Sequence, residues 1–236
     1  MEFRVLNRLQ DANCTNYVFN SPFSDKVWEM AVRDQELWLA SGGVNRTFSY
    51  LNRSDGFASY IDGQWKVFTR FNSPYLQGEK ANDNSDDLTD VMTVALHPSN
   101  KKVYIGSFYE GLVEIDGEKF QLFNEKNSTL NNAIGDIART RISGLAFDEE
   151  ENLWVANHLA ANPISVLTKA GEWKSFKPSC GVTSLHQLTI DQNGYKWFCS
   201  SSNSAGLIVF DSGKLDDNTD DKCRVFTTAN SELQTN

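Results

Sequence analysis

Apolar residues fall into short runs of four to six, separated by clusters of Asn, Asp, Gly and Ser. Such runs read as strands, and such clusters as tight turns. The runs recur in a fixed order. Val27–Val32 and Leu37–Gly42 flank a polar turn, as do Val91–Leu96 and Val103–Ser107. Ile142–Phe147 pairs in the same way with Leu153–Asn157, and Leu185–Ile190 with Lys196–Ser200. A third run follows each pair: Gly56–Asp62, Gly111–Asp116, Ile164–Leu167 and Gly206–Asp211. A fourth closes each unit: Gln64–Phe68, Lys119–Phe123, Glu172–Phe176 and Cys223–Phe226. Each unit therefore predicts four antiparallel strands joined by turns.

An aromatic in the second run marks the period, at Trp38, Tyr104, Trp154 and Trp197. Four strands in roughly 40–50 residues is the repeat of a β-propeller blade. The expected fold is thus all-β, with four blades at about 26–76, 90–130, 141–178 and 182–233. Small residues follow each aromatic, as in Ala40-Ser41-Gly42 and Gly106-Ser107, where blades would converge on the axis. The aromatics themselves are expected to pack between neighbouring blades. The longest interval holds two insertions, Gly43–Asp55 and Gln77–Thr89.

The segment Tyr17–Phe23 resembles the exit of each blade, Asn72-Ser73-Pro74, Asn127-Ser128-Thr129 and Asn230-Ser231-Glu232. Residues 1–25 are therefore expected to be the last strand or strands of a preceding blade, and the chain an excerpt of a larger propeller. The alternative is a closed four-bladed ring.

Composition narrows the function. The 236 residues carry a formal charge of -9, and no Lys/Arg-rich run is present. That argues against nucleic-acid binding, which needs clustered cations. No stretch of about 18 apolar residues reads as a transmembrane helix, and Met1–Arg8 has no apolar core of the secretory type. Four cysteines, Cys14, Cys180, Cys199 and Cys223, contain no CxxC pair. Their spacing allows one or two disulfides in an exported protein without fixing the pairing.

The blade pattern of apolar strand, Asp/Asn turn, Leu-Trp-Val, small residue and Gly-Leu resembles the two-component regulator propeller repeat of Bacteroidota proteins. Within that group the ordered set is similar to the PorZ-like family of the type IX secretion system. The set includes Val94–Asn100, Gly111–Glu114, Asn127–Leu130, Gly144–Asp148, Asn152–Val155, Ile190–Trp197 and Gly206–Asp211. The resemblance implies a non-enzymatic, exported protein at the outer-membrane surface or in the periplasm. It implies protein partners within an attachment complex, and lipopolysaccharide recognition through a sandwich domain outside this sequence. A glycan-sensing periplasmic propeller of a hybrid two-component regulator is the alternative.

Motifs for covalent or nucleotide chemistry are lacking: there is no Gly-x-Ser-x-Gly elbow, Walker loop or dinucleotide fingerprint. His97, His158 and His186 fall in three different blades, a poor basis for a shared zinc site. No cofactor is expected, with Ca²⁺ the one candidate. Its oxygen ligands would be Asp216, Asp217, Asp220 and Asp221 in one acidic loop, though without EF-hand spacing. Asn82–Asp87 is a weaker version of the same composition. Phe48, Tyr50 and Leu51 put apolar surface into an insertion and are candidate partner-binding residues, the alternative being that they fold back onto the blade.

Overall fold

A computed structural model describes residues 5–10, 13–18, 20–77, 88–202 and 205–235. The acidic segment Asn82–Asp87 lies outside them. Strands β1 (Val5–Gln10) and β2 (Asn13–Val18) form an antiparallel hairpin. The rest is four four-stranded antiparallel sheets, each built from consecutive strands. Blade 1 holds β3 (Glu29–Arg33), β4 (Glu36–Ala40), β5 (Phe57–Ile61) and β6 (Gln64–Phe68). Blade 2 holds β7 (Val91–Leu96), β8 (Val103–Ser107), β9 (Gly111–Asp116) and β10 (Lys119–Phe123). Blade 3 holds β11 (Ile142–Phe147), β12 (Leu153–Asn157), β13 (Ile164–Leu167) and β14 (Trp173–Phe176). Blade 4 holds β15 (Leu185–Ile190), β16 (Lys196–Ser200), β17 (Leu207–Asp211) and β18 (Lys222–Phe226). One short 3-10 turn, Pro74–Leu76, is the helical content of the described residues.

The blades are β-propeller blades, stacked in chain order. Innermost strand β3 packs on β7, β7 on β11, and β11 on β15. Strands β3 and β15 share no comparable packing among the described residues. Register repeats as well: Ala31, Ala95, Ala146 and Thr189 stand opposite Trp38, Tyr104, Trp154 and Trp197.

Three apolar clusters fill the spaces between blades. Trp38, Phe57 and Phe68 of blade 1 meet Val94, Val103 and Ile115 of blade 2. Tyr104, Leu112 and Phe123 of blade 2 meet Leu145, Leu153 and Leu167 of blade 3. Trp154, Val166 and Phe176 of blade 3 meet Phe198, Ile208 and Phe210 of blade 4. At Gly106 in β8 neighbouring blades leave no room for a side chain. A Cβ on Gly106 would lie 2.4 Å from Thr93 Cγ2 and 2.6 Å from Ile142 Cγ2.

The recurring turn residues have one function each. Asn72 Oδ1 accepts the Thr69 N–H while its Nδ2 donates to Val67 O, which folds the exit of blade 1. Asn127 and Asn230 repeat both bonds for blades 2 and 4. Within blades, Asp148 and Asp191 each accept two backbone N–H groups in the first turn, and with the second oxygen an indole N–H, from Trp154 and Trp197. A disulfide joins Cys180, after blade 3, to Cys223 in β18.

Candidate functional site

Antiparallel order places the loops after the second and fourth strands of each blade at one end of the stack. The loops after the first and third strands lie at the other. The segment 43–55 therefore shares an end with residues 107–110, 131–141 and 157–160. The acidic loop 212–221 lies at the opposite end.

The segment 43–55 is ordered by its own polar groups. Asn45 Oδ1 accepts the N–H groups of Thr47 and Ser49 at 2.9 Å each. Asp90, fully buried at the entry to β7, accepts N–H groups from Leu51, Asn52 and Arg53 at 2.8, 2.7 and 3.0 Å. Burial pushes the Asp90 pKa up, against the pull of those three donors. Arg53 Nη1 also donates to Gly42 O at 3.1 Å. The loop is thus fastened to both blade 1 and blade 2.

That fastening determines where the three candidate partner residues go. Phe48 has φ 56°, the left-handed region that bulky residues avoid. The unusual backbone turns its ring inward, onto Phe108, His158 and His186, with centroids 5.8, 4.8 and 4.5 Å away. Tyr50 lies half-buried, edge-on to Tyr109 at 5.4 Å. Leu51 is 38% exposed. The loop of blade 1 so reaches across the axis to blades 3 and 4.

The histidines beneath Phe48 are not poised as acids. His158 is buried, and its Nδ1–H donates to Leu185 O at 2.9 Å. Burial pulls its pKa down to about 4, with Arg141 and His186 adding to the effect. Burial also lowers the pKa of His186. Both rings are therefore neutral and apolar in character at pH 7.

Two arginines border this aromatic floor. Arg139 lies over the Tyr109 ring, its Cζ 3.7 Å from the centroid, and its Nη1 pairs with Glu110 at 2.6 Å. Arg141 lies 5.3 Å from the Tyr50 ring and pairs with Asp136 at 2.8 Å. Between these residues the loop 131–140 projects Ile134 and Ile137, which are 62% and 87% exposed. Its base is held by Ile134 N–H to Leu159 O at 2.8 Å and Ala133 N–H to Arg139 O at 2.9 Å. Sequence reasoning missed this loop. The signal was present: two isoleucines in Asn131–Ile137, a stretch otherwise rich in Asn, Gly and Asp.

The acidic loop is organised by internal bonds. Asp216 faces Lys174, Asp217 Oδ1 accepts the N–H and hydroxyl of Thr219, and Asp220 accepts the Lys214 N–H. Burial and the neighbouring Asp220, Asp211 and Asp217 raise the pKa of Asp221. Among the described residues, no three His, Cys, Asp or Glu side chains are grouped as metal ligands. Between blades 1 and 2, a groove of about 420 Å³ is lined by Trp38, Arg33, Glu36 and Tyr75.

No known protein-family profile matches the chain. No curated relative matches it either. Solved structures share the fold. PorZ, a surface component of the type IX secretion system of Porphyromonas gingivalis, matches with TM-score 0.71 and 21% identity over 90% of this chain and 29% of its own. The extracellular domain of a hybrid two-component system from B. thetaiotaomicron matches with TM-score 0.58 and 16% identity, over 99% of this chain and 28% of its own. Virginiamycin B lyase from Staphylococcus aureus matches with TM-score 0.55 and 14% identity, over 94% of this chain and 62% of its own. The chain thus spans less than a third of the length of PorZ. Propellers with this likeness include surface components, an extracellular domain and lyases. Among the described residues, no helix is long and apolar enough to cross a membrane.

Proposed function

We propose that the chain is a non-enzymatic binding propeller, acting at the cell surface as part of a secretion and attachment complex of the type IX kind. The loop end carries its partner site. The observation behind this reading is the pairing of a rigid floor with outward apolar anchors. Tyr50, Tyr109, Arg139 and Arg141 are fixed by stacking and ion pairs, and Ile134, Ile137 and Leu51 stand out from them. Aromatic and Arg residues around apolar anchors are what protein interfaces enrich. The surroundings suit binding better than turnover. Glu110 and Asp136 are ion-paired, Asp90 is buried under three N–H donors, and both histidines are held neutral. The likeness to PorZ supports the choice of complex.

The test is co-purification with surface secretion components, comparing wild type with an Ile134→Glu/Ile137→Glu double variant. Both side chains are exposed, so the melting transition should stay unchanged while partner recovery falls at least tenfold. Unchanged recovery overturns the assignment of the site. The likeness to the B. thetaiotaomicron extracellular domain supports a second reading, a glycan-sensing domain. Saturable binding of a glycan fragment that survives the double variant would favour it. Turnover of a glycan or cyclic peptide by the purified protein would exclude the non-enzymatic reading.

A further inference from the structure

The spaces between blades repeat position by position. Lys66 stands opposite Ser59, which stands opposite Trp38; Lys174 stands opposite Val166, which stands opposite Trp154. The two lysines therefore share one register position, in blades 1 and 3. The aromatic pairs beside them match as well, with Trp38 stacked on Phe68 at 5.7 Å and Trp154 on Phe176 at 5.6 Å. What differs is the contribution of the following blade. Blade 4 joins its third and fourth strands through the long loop 212–221. Leu215 of that loop packs on the apolar cluster of Trp154, Phe176 and Phe210, and Asp216 pairs with Lys174 of blade 3. Blade 2 makes the same connection with Gly117 and Glu118 alone. Both residues line the groove of about 420 Å³ between blades 1 and 2, together with Trp38, Phe68 and Lys66. This groove lies between two blades that pack on each other, so it is not an outer face of the stack.

Charge singles out the same lysine. The cations lining the groove are Arg33, Lys66 and Lys101, and the carboxylates are Glu36 and Glu118. Arg33 and Lys101 both pair with Glu36. Lys66 makes no ion pair among the described residues, and its Nζ rests 5.0 Å from the centroid of the Phe68 ring. Between blades 2 and 3 the register position of Lys66 holds Gln121, so that position offers no cation.

We infer that the groove between blades 1 and 2 binds a leucine–aspartate segment of a partner protein, the leucine seated on Trp38 and Phe68 and the carboxylate paired with Lys66. Blade 4 supplies such a segment to the matching space from its own chain, and blade 2 does not. The internal occupant is the argument for the chemistry of the external one. The groove volume falls in the range of about 300–1,000 Å³ usual for ligand clefts. The chain's own acidic stretch 78–87 has no large apolar residue to serve as the anchor. The groove shares no residue with the partner site at the loop end, so failure of either leaves the other standing.

The experiment is fluorescence anisotropy with a labelled synthetic peptide of the sequence Ser212–Asp221, titrated with the full chain. Wild type should bind the peptide saturably. Lys66→Glu should weaken binding at least about tenfold, because it sets like charges together. Lys66 is exposed, and circular dichroism should show the variant folded. A peptide carrying Asp216→Lys should regain the lost affinity on that variant, and a peptide carrying Leu215→Ser should lose affinity for wild type. Lys174→Gln, which alters the matching space between blades 3 and 4, should leave binding of the original peptide unchanged. Absence of saturable binding overturns the inference. So does a Lys66→Glu variant that binds as wild type does, a failure of the charge exchange or of the leucine dependence, or a loss produced by Lys174→Gln.

Discussion

Replacing Trp154 with alanine should cost about 3–5 kcal/mol, the range for large aromatic-to-alanine changes in cores. The side chain is 1% exposed and stacks on Phe176 at 5.6 Å. A buried Trp removes about 150–250 Å² from water. At about 25 cal/mol per Å² that is about 4–6 kcal/mol, an upper figure because the unfolded chain is itself partly collapsed. Two polar groups also lose a neighbour. Asp148 Oδ2 loses the indole N–H at 2.8 Å but keeps Asn152 Nδ2 at 3.0 Å. Lys196, itself buried, loses the ring that lies 3.9 Å from its Nζ and keeps Ser212 Oγ at 3.0 Å. Trp154→Phe separates the contributions, because it retains most of the volume and removes the indole hydrogen bond. It should cost about 1–2 kcal/mol, a hydrogen bond to a charged acceptor plus a small packing defect. Urea denaturation followed by far-UV circular dichroism measures both, with an unchanged slope as the control for two-state behaviour. An alanine variant within about 1 kcal/mol of wild type, against the expected core range, would refute the packing argument. A phenylalanine variant as damaging as alanine would refute the division between volume and hydrogen bond.

Asp90→Ala should cost about 2–3 kcal/mol, the scale of losing charge-assisted hydrogen bonds, and should raise hydrogen exchange at Leu51, Asn52 and Arg53, whose N–H groups it anchors; unchanged exchange there would show that the loop holds itself. Reduction of Cys180–Cys223, or a Cys180→Ser/Cys223→Ser variant, should destabilise by up to about 4 kcal/mol for a closed loop of this length, given the separation of 43 residues; an unchanged urea midpoint would refute it. His158 contributes a pH dependence of definite sign. Its folded pKa of about 4 lies below the ordinary 6.5, so the unfolded state binds the proton first. Stability should fall by about 3 kcal/mol as pH drops through that window and level off below it. The difference between wild type and His158→Gln isolates the effect from the carboxylates, and a flat difference curve would contradict the burial of the imidazole.

The blade architecture was legible because its determinants are local. Alternation, an aromatic in the second strand and Asn or Asp at fixed turn positions each act within a few residues. The bonds of Asn72, Asn127 and Asn230 carry out what their repeated spacing implied. The site was less legible. In sequence Phe48 reads equally as an outward anchor or as a residue folded back onto the blade; in the structure, with a positive φ, its ring lies at the axis on His158 and His186. The Asp90 anchor lies 39 positions from Leu51, while the turn at Phe48 is held by Asn45. His158 and His186 meet under Phe48 although their blades differ, which only the curvature of the stack produces. The disulfide partners are likewise separated by a whole blade, so spacing alone left their pairing open.

Because the sheets pack chiefly on their neighbours along the chain, with Phe48 of blade 1 reaching His158 and His186 across the axis, stability here behaves in large part like a row of coupled units. In such a row the energy of a unit is its own folding plus the interfaces it shares. Blades 2 and 3 have a neighbour on both faces, and blade 4 is stapled to the end of blade 3 by Cys180–Cys223. Blade 1 has no covalent staple among the described residues; besides its apolar contact with blade 2 it is held by Asp90, by Arg33 Nη1 donating to His97 O and Asn100 O, by Thr93 Oγ1 donating to Glu29 at 2.7 Å, and by Phe48 at the axis. Amide protection should therefore be highest in β8 and β12, in the two blades that are packed on both faces. The same arithmetic sets how such chains change over time. A blade added or lost at an end alters one interface and leaves the rest of the row in place, so blade number can drift without the fold being redesigned.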